Sequence, residues 1–210
     1  MGILIEKGMK ILFQGDSITD SGRKDDTDHG LGRGYPFLAA AYYRGMRPDL
    51  NLEFLNRGVS GNRTNDLVSR WDEDCVALAP DILSILIGIN NTWRRYDRDD
   101  PTSPETFRNE YDAILKRSAE ETGASLVICE PFILDIDEKA TKMREDLEPK
   151  KAVCRELAEK YDAVYVPLDS LFAEACGSTD PAYWSDDGVH PTLAGHSFIA
   201  NEWIKAVSGS

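Results

Sequence analysis

Two distant segments carry the residue types that nucleophilic catalysis uses. Ser17 follows the apolar run at residues 10–14, within the segment GDSIT. Near the other end of the chain, Asp187 precedes His190 by three positions. In such a short turn the carboxylate can reach Nδ1 of the imidazole and leave Nε2 free to face a hydroxyl group. A nucleophile, a base and a group that orients the base are thus all available, and the chemistry they indicate is attack on a carbonyl carbon.

The anion formed by such an attack needs hydrogen-bond donors, and two further segments supply them. Gly61 lies in NRGVSGN after the second apolar run, and Asn90 lies in IGIN after the third. Backbone N–H groups and a side-chain amide can stabilise a tetrahedral oxyanion. We therefore predict an oxyanion hole formed by the N–H groups of Ser17 and Gly61 and the amide of Asn90.

The elements that must position these segments alternate between strands and helices. Apolar runs predict strands, and between them apolar residues recur at steps of three or four, as on one face of a helix. The predicted strands are residues 10–14, 52–56, 82–87, 125–129 and 163–166. Continuously apolar strands indicate a parallel sheet with helices on both faces. Ligands bind beyond the carboxyl ends of such strands, where Ser17, Gly61 and Asn90 are expected to meet.

The chain is interpreted as one domain spanning residues 1–210, because no repeat or linker divides it. One helix is predicted to begin at Ser103-Pro104-Glu105, which provides a cap, a proline in the first turn and an acid near the positive end of the dipole. Gly123 is predicted to end it. The segment 135–149 is highly charged and longer than a simple connection, so it is interpreted as a peripheral excursion.

The composition argues against several classes of partner. A net charge of −13 disfavours nucleic acid and anionic membranes. No apolar run approaches the roughly 20 residues that span a bilayer, and the N-terminus lacks the pattern of a secretory signal. The four cysteines form no C-x-x-C pair, which argues against zinc and favours a reducing, cytoplasmic location. We expect no metal and no cofactor.

The four blocks GDSIT, NRGVSGN, IGIN and DGVHP occur in this order and resemble the GDSL, or SGNH, hydrolases. The Ser, Gly, Asn and His for which that family is named match Ser17, Gly61, Asn90 and His190, and Asp187 matches its third triad member. The resemblance implies ester hydrolysis without a metal. It also implies a flavodoxin-like three-layer α/β/α fold with a parallel sheet of about five strands.

One position departs from the family pattern. Asn91 stands where the third block usually has an aspartate that supports the loop. We expect this change to affect local hydrogen bonding more than activity.

Aromatic and basic residues beside the blocks indicate a sugar substrate. Trp93, Arg94 and Tyr96 follow the third block, and Trp184 precedes the fourth. Aromatic faces stack on sugar rings, and arginine donates hydrogen bonds to hydroxyl or acyl oxygens. The segments GINNTWRRYD and RGVSGNRTNDLVSRW resemble the intracellular acetylxylan esterase branch of the family. That resemblance implies acetylated oligosaccharides as substrates and self-assembly into a homo-oligomer.

Alternative interpretations stay open at this point. The same chemistry could act on an aryl ester, a lysophospholipid or an acyl thioester, and the fold could instead serve as a catalytically silent carbohydrate-binding module. Single residues also have structural interpretations. Ser17 could cap a helix, Trp93 and Trp184 could be core aromatics, and His196 is interpreted as a packed or surface histidine.

Overall fold

The computed structural model describes residues 2–209, and at its centre is a five-stranded parallel sheet in the order β2–β1–β3–β4–β5. The strands are β1 (Lys10–Gly15), β2 (Glu53–Asn56), β3 (Ile82–Leu86), β4 (Ser125–Cys129) and β5 (Val164–Val166). Each predicted strand is present, with its ends within one residue of the prediction. The apolar runs predict the strands well because the strands are covered on both faces.

Helices connect and cover the strands. They are α1 (Ser17–Asp20), α2 (Tyr35–Met46), α3 (Thr64–Asp74), α4 (Ile89–Asp97), α5 (Pro104–Glu121), α6 (Glu138–Lys160), α7 (Leu168–Cys176), α8 (Pro181–Trp184) and α9 (Leu193–Ser208). The predicted start of α5 is confirmed, since the Ser103 hydroxyl accepts a hydrogen bond from the N–H of Thr106 at 3.0 Å. Gly123 follows the end of that helix with φ +70°, a conformation that favours glycine.

The helices form two outer layers, as a three-layer α/β/α fold requires. Side chains alternate along β1, so Ile11 and Phe13 pack in the cluster that contains α2 and α9, and Leu12 packs in the cluster that contains α3 and α5. The ring of Phe13 lies 5.2 Å from the ring of Trp203 in α9. These contacts fix the sheet between the two layers.

The charged segment 135–149 is not a peripheral excursion, and that prediction was wrong. Most of it is the first half of α6, a helix of 23 residues with Pro149 in its interior. Lys150 is fully buried there and forms an ion pair with Asp146. The buried charge of Asp146 is therefore neutralised by Lys150 one turn further along the helix, which composition alone does not reveal.

The carboxyl ends of β1 and β3 lie side by side at the point where the strand order reverses. β1 pairs with β2 on one side and with β3 on the other, and Gly15 is aligned with Leu86. Ligands bind at such switch points in parallel sheets. The segments that begin with Ser17 and Asn90 consequently start from neighbouring positions.

Within residues 2–209, no helix is both long and apolar enough to cross a membrane. The same residues contain no group of three or more His, Cys, Asp and Glu side chains that could hold a metal ion.

Candidate active site

A tight turn at the end of β1 places Ser17. Gly15 has no side chain, and a Cβ there would collide with the carbonyl oxygen of Leu86 and with Thr19. Asp16 then caps α1, because its Oδ1 accepts a hydrogen bond from the N–H of Ile18 at 3.1 Å. The cap is therefore Asp16, and the Ser17 hydroxyl is left available.

The Ser17 hydroxyl lies in a continuous chain of hydrogen bonds with two other side chains. Its Oγ is 2.9 Å from Nε2 of His190, and Nδ1 of His190 is 2.6 Å from Oδ2 of Asp187. The other carboxylate oxygen of Asp187 accepts from the backbone N–H of His190 at 2.7 Å and of Val189 at 2.9 Å. The structure thus brings the three predicted residues together, with the imidazole between a hydroxyl and a carboxylate.

The charges along this chain favour a basic imidazole. Burial opposes ionisation of Asp187, but hydrogen bonds from the His190 ring and from the N–H groups of His190 and Val189 hold the pKa of the carboxyl well below its usual range. The hydrogen bond from Asp187 raises the pKa of His190, and partial burial opposes this increase. The ionised Asp187 keeps the proton on Nδ1, so that Nε2 can accept the Ser17 proton.

A buried acid lies next to the nucleophile. Asp16 is fully buried, and its Oδ2 has no partner at normal hydrogen-bond geometry within residues 2–209, although the nearby Asn90 side chain lowers the pKa of its carboxyl. Burial raises the pKa of Asp16 to about 7, although the positive charge of protonated His190 acts in the opposite direction. The charge of each of these two groups therefore affects the titration of the other.

The loop that carries Gly61 is fastened to the helix that carries Ser17. Oδ2 of Asp20 accepts hydrogen bonds from Oγ of Ser60 at 2.7 Å and from its N–H at 3.2 Å. Asn56, at the end of β2, donates to the carbonyl oxygen of Thr19 at 2.6 Å. Neither Asp20 nor Asn56 was predicted to be a positioning residue, although an asparagine at the end of an apolar strand is a usable signal.

The three predicted donors come from three different segments. The backbone N–H groups of Ser17 and Gly61 have no acceptor in the described part of the chain. Gly61 has φ +84°, which favours glycine at this turn. Asn90 lies in the first turn of α4, is only 4% exposed, and donates from Nδ2 to the carbonyl oxygen of Asn62 at 3.2 Å. Such donors can surround an anion that forms at Ser17.

Asn91 supports the start of α3 through both ends of its amide. Its Oδ1 accepts from the N–H of Thr64 at 3.3 Å, and its Nδ2 donates to the hydroxyls of Thr64 at 3.0 Å and Thr102 at 3.4 Å. The Thr64 hydroxyl in turn donates to Glu110 at 2.5 Å. The carboxylate at this support is therefore that of Glu110 on α5, which was not predicted from the sequence.

Trp93 lies beside the imidazole. Its ring centroid is 5.8 Å from that of His190, with an angle of 47° between the ring planes. On α6, Nζ of Lys139 is 5.3 Å from the Trp93 ring, within the range of a cation–π interaction. Of the four side chains predicted to contact substrate, Trp93 is the one whose ring lies beside that of His190 in the described structure.

Arg94 and Tyr96 are engaged within the chain. Arg94 donates from Nη2 to Oδ1 of Asn90 at 3.1 Å and forms an ion pair with Asp97. The Tyr96 hydroxyl donates to the carbonyl oxygen of Lys142 at 3.1 Å and to Glu145 at 3.2 Å. These contacts favour a structural role for Tyr96, which holds α4 against α6.

Trp184 and His196 are packed residues. The ring of Trp184 lies 5.3 Å from that of Phe198 and 6.3 Å from that of Phe172, between α7 and α9. His196 accepts the N–H of Tyr35 at Nδ1, at 3.2 Å, and so satisfies a donor at the start of α2. Burial lowers the pKa of His196 to about 4, which keeps it neutral in this role.

Comparison with known proteins is consistent with this geometry. Residues 13–198 match the sequence model of the GDSL-like lipase/acylhydrolase family. The chain is 34% identical to an acetylxylan esterase of Geobacillus stearothermophilus over 210 residues, covering 97% of this chain and 95% of that protein.

Two solved structures show how far the likeness extends. The crystal structure of a putative GDSL-like lipase from Parabacteroides merdae has a TM-score of 0.93 and 35% identity, with all of both chains covered. The crystal structure of the Geobacillus stearothermophilus acetylxylan esterase has a TM-score of 0.89 and 30% identity, covering 97% of this chain and 95% of that one. Mutants of that esterase described as catalytic replace a serine, a histidine, and an aspartate three positions before the histidine.

The family model matches most of the chain, and the curated relative and the solved structures are of the same kind. The chain belongs to the GDSL-like lipase/acylhydrolase family.

Proposed function

We propose that this protein is a serine esterase that removes short acyl groups, acetyl above all, from carbohydrates. The observation that carries the proposal is the hydrogen-bonded chain from Asp187 through His190 to Ser17. The spacing of Asp187 and His190 is also the spacing of the two residues replaced in catalytic mutants of the acetylxylan esterase. The near full-length likeness to that esterase supports acetylated xylo-oligosaccharides as the substrate class.

In the proposed reaction, Ser17 attacks the ester carbonyl carbon while Nε2 of His190 takes its proton. The carbonyl oxygen becomes an oxyanion that accepts hydrogen bonds from the N–H groups of Ser17 and Gly61 and from the amide of Asn90. His190 then gives its proton to the leaving sugar oxygen, and the acyl group stays on Ser17. Water attacks this ester while Nε2 of His190 takes a proton from it, and His190 then returns that proton to Oγ of Ser17 as the Ser17–acyl bond breaks and the acid leaves.

On the substrate side, we propose that Trp93 faces the bound sugar or acyl group, because its ring lies against His190. Aromatic faces stack favourably on the apolar faces of sugar rings. Substrate contact by Arg94, Tyr96 and Trp184 remains a prediction, and their present contacts offer a structural role for each.

The decisive experiment measures acetate release from acetylated xylo-oligosaccharides and hydrolysis of synthetic esters of increasing acyl length. We expect activity on the acetylated sugars that falls as the acyl chain lengthens. Ser17→Ala is the matched control and should lower kcat by about 10⁴- to 10⁶-fold without loss of the fold.

Other outcomes separate the alternatives. A preference for long acyl chains or thioesters would favour the other esterase functions, and sugar binding without hydrolysis would favour the silent binding module. Retention of most activity by folded Ser17→Ala would contradict the serine mechanism.

Three further proposals accompany this function. We propose that the reaction needs no metal, so EDTA should leave kcat/KM unchanged. We also propose a reducing, cytoplasmic location, supported by Cys75, Cys129, Cys154 and Cys176, which are free thiols. Self-association stays a prediction from the family resemblance, and light scattering on the purified protein would measure it.

A further inference from the structure

The Arg94 side chain is hydrogen-bonded to Asn90, the predicted side-chain donor of the oxyanion hole. Asn90 and Arg94 are one helical turn apart on α4, so their side chains lie on the same face. Nη2 of Arg94 donates to Oδ1 of Asn90 at 3.1 Å, and Nη1 is paired with Asp97 in the next turn. The Arg94 side chain is only 17% exposed, so this arrangement is largely shielded from water.

An asparagine amide has two ends of similar shape and opposite hydrogen-bonding character. Only the Nδ2 end can stabilise an oxyanion, and a rotated Asn90 would present a carbonyl oxygen to the developing negative charge. A guanidinium group carries donors only, so it can bond only to Oδ1. The carbonyl oxygen of Asn62 accepts, so it can bond only to Nδ2, which it does at 3.2 Å.

We propose that Arg94 is a positioning residue that fixes the Asn90 amide with Nδ2 toward the reacting carbonyl. This role rests on the proposed esterase function. The guanidinium also withdraws electron density from the amide oxygen, which makes the Nδ2 protons stronger donors. Asp97 holds the guanidinium in turn. This role differs from direct donation to substrate oxygens, which the sequence suggested.

The test is a double-mutant cycle between Arg94→Met and Asn90→Ala, with a chromogenic acetyl ester as the substrate. Arg94→Met alone should lower kcat by about 10- to 100-fold with little change in KM, because the orientation matters most when charge develops. In the Asn90→Ala background the same substitution should change kcat by less than about twofold, because there is no amide left to orient.

Two further variants keep the test independent of folding. Arg94→Lys retains a donor for Oδ1 and should recover most of the lost kcat. Asp97→Asn releases the guanidinium from an exposed position, and its smaller loss of kcat should also disappear in the Asn90→Ala background. Arg98→Met is the matched control, because it removes the same charge one turn further on and its side chain makes no hydrogen bond or ion pair within residues 2–209.

The outcomes are distinguishable. Effects of Arg94→Met and Asn90→Ala that multiply independently, or an effect of Arg94→Met confined to KM, would overturn the positioning role and indicate direct substrate contact. If the wild-type protein hydrolyses no ester, the proposed function fails and this role fails with it. Hydrolysis by the wild type without coupling between the two residues overturns the role of Arg94 alone.

Discussion

Asn91 contacts Thr64 through both ends of its amide, accepting from the backbone N–H and donating to the side-chain hydroxyl. The Thr64 hydroxyl in turn donates a hydrogen bond to Glu110. An aspartate at position 91 could accept from the N–H but could not donate to the hydroxyl. The asparagine and the glutamate therefore act as a matched pair around one threonine.

Replacing that asparagine tests the pairing. In Asn91→Asp two carboxylates would compete for the single Thr64 hydroxyl, and we expect a loss of about 1–3 kcal/mol in the free energy of unfolding at neutral pH. Urea denaturation measures it. Adding Glu110→Gln should recover much of the lost free energy of unfolding, because an amide at that position can donate a hydrogen bond to the Thr64 hydroxyl as well as accept one. Additive losses in the double variant would contradict the pairing.

Asn90→Ala tests the side-chain donor of the oxyanion hole. We expect kcat to fall by about 10²- to 10³-fold with little change in KM, because the donor acts mainly on charge that develops in the transition state. Steady-state kinetics on an acetyl ester measure both constants. Asn65→Ala, an exposed asparagine on α3, is the control. A change in KM alone would instead assign Asn90 to ground-state binding.

The pH dependence of kcat/KM should report His190. The imidazole must be neutral to accept the Ser17 proton, so activity should rise with pH through the pKa of His190. Asp187 raises this pKa most, and the negative charge of Asp16 raises it further. Asp16→Asn keeps an oxygen for the α1 cap and removes the negative charge. The rising limb should therefore move to lower pH in this variant. An unchanged limb would show that Asp16 and His190 do not interact.

His196 should make the fold sensitive to acid. Its pKa is lowered from 6.5 to about 4 in the folded protein, so the unfolded state binds the extra proton first as pH falls. The contribution of neutral His196 to the free energy of unfolding is therefore complete above pH 6.5. It falls by up to about 3 kcal/mol as the pH decreases toward 4. The unfolding temperatures of the wild type and of His196→Asn, measured across this pH range, should converge toward acidic pH. Parallel curves would contradict this role for His196.

The strands could be predicted, and so could the meeting of the three sequence blocks that follow β1, β2 and β3. A buried strand is continuously apolar, and the carboxyl ends of parallel strands share one edge. Ser17, Gly61 and Asn90 were therefore expected at that edge from their positions alone.

The roles of Arg94 and Tyr96 could not be predicted in the same way. Both follow Asn90 closely in sequence, but successive helical residues point about 100° apart, so neighbours on α4 face different surroundings. Trp93 faces His190, and the Tyr96 hydroxyl bonds to α6. The contact of Tyr96 depends on the position of α6, and the charged first half of α6 was not predicted to be a helix that packs in the fold.

The partial exposure of His190 and Asp187 affects how the proposed reaction would be shielded from solvent. The side chains of His190 and Asp187 are 49% and 43% exposed. Bulk water can therefore reach the imidazole directly, and in the proposed reaction the hydrolytic water would need no internal channel. The protein alone does not exclude solvent, so the bound substrate must do so by covering His190 and Trp93. An extended saccharide would then shield the developing charge better than a small ester, and the rate of acyl transfer would increase with the size of the leaving group.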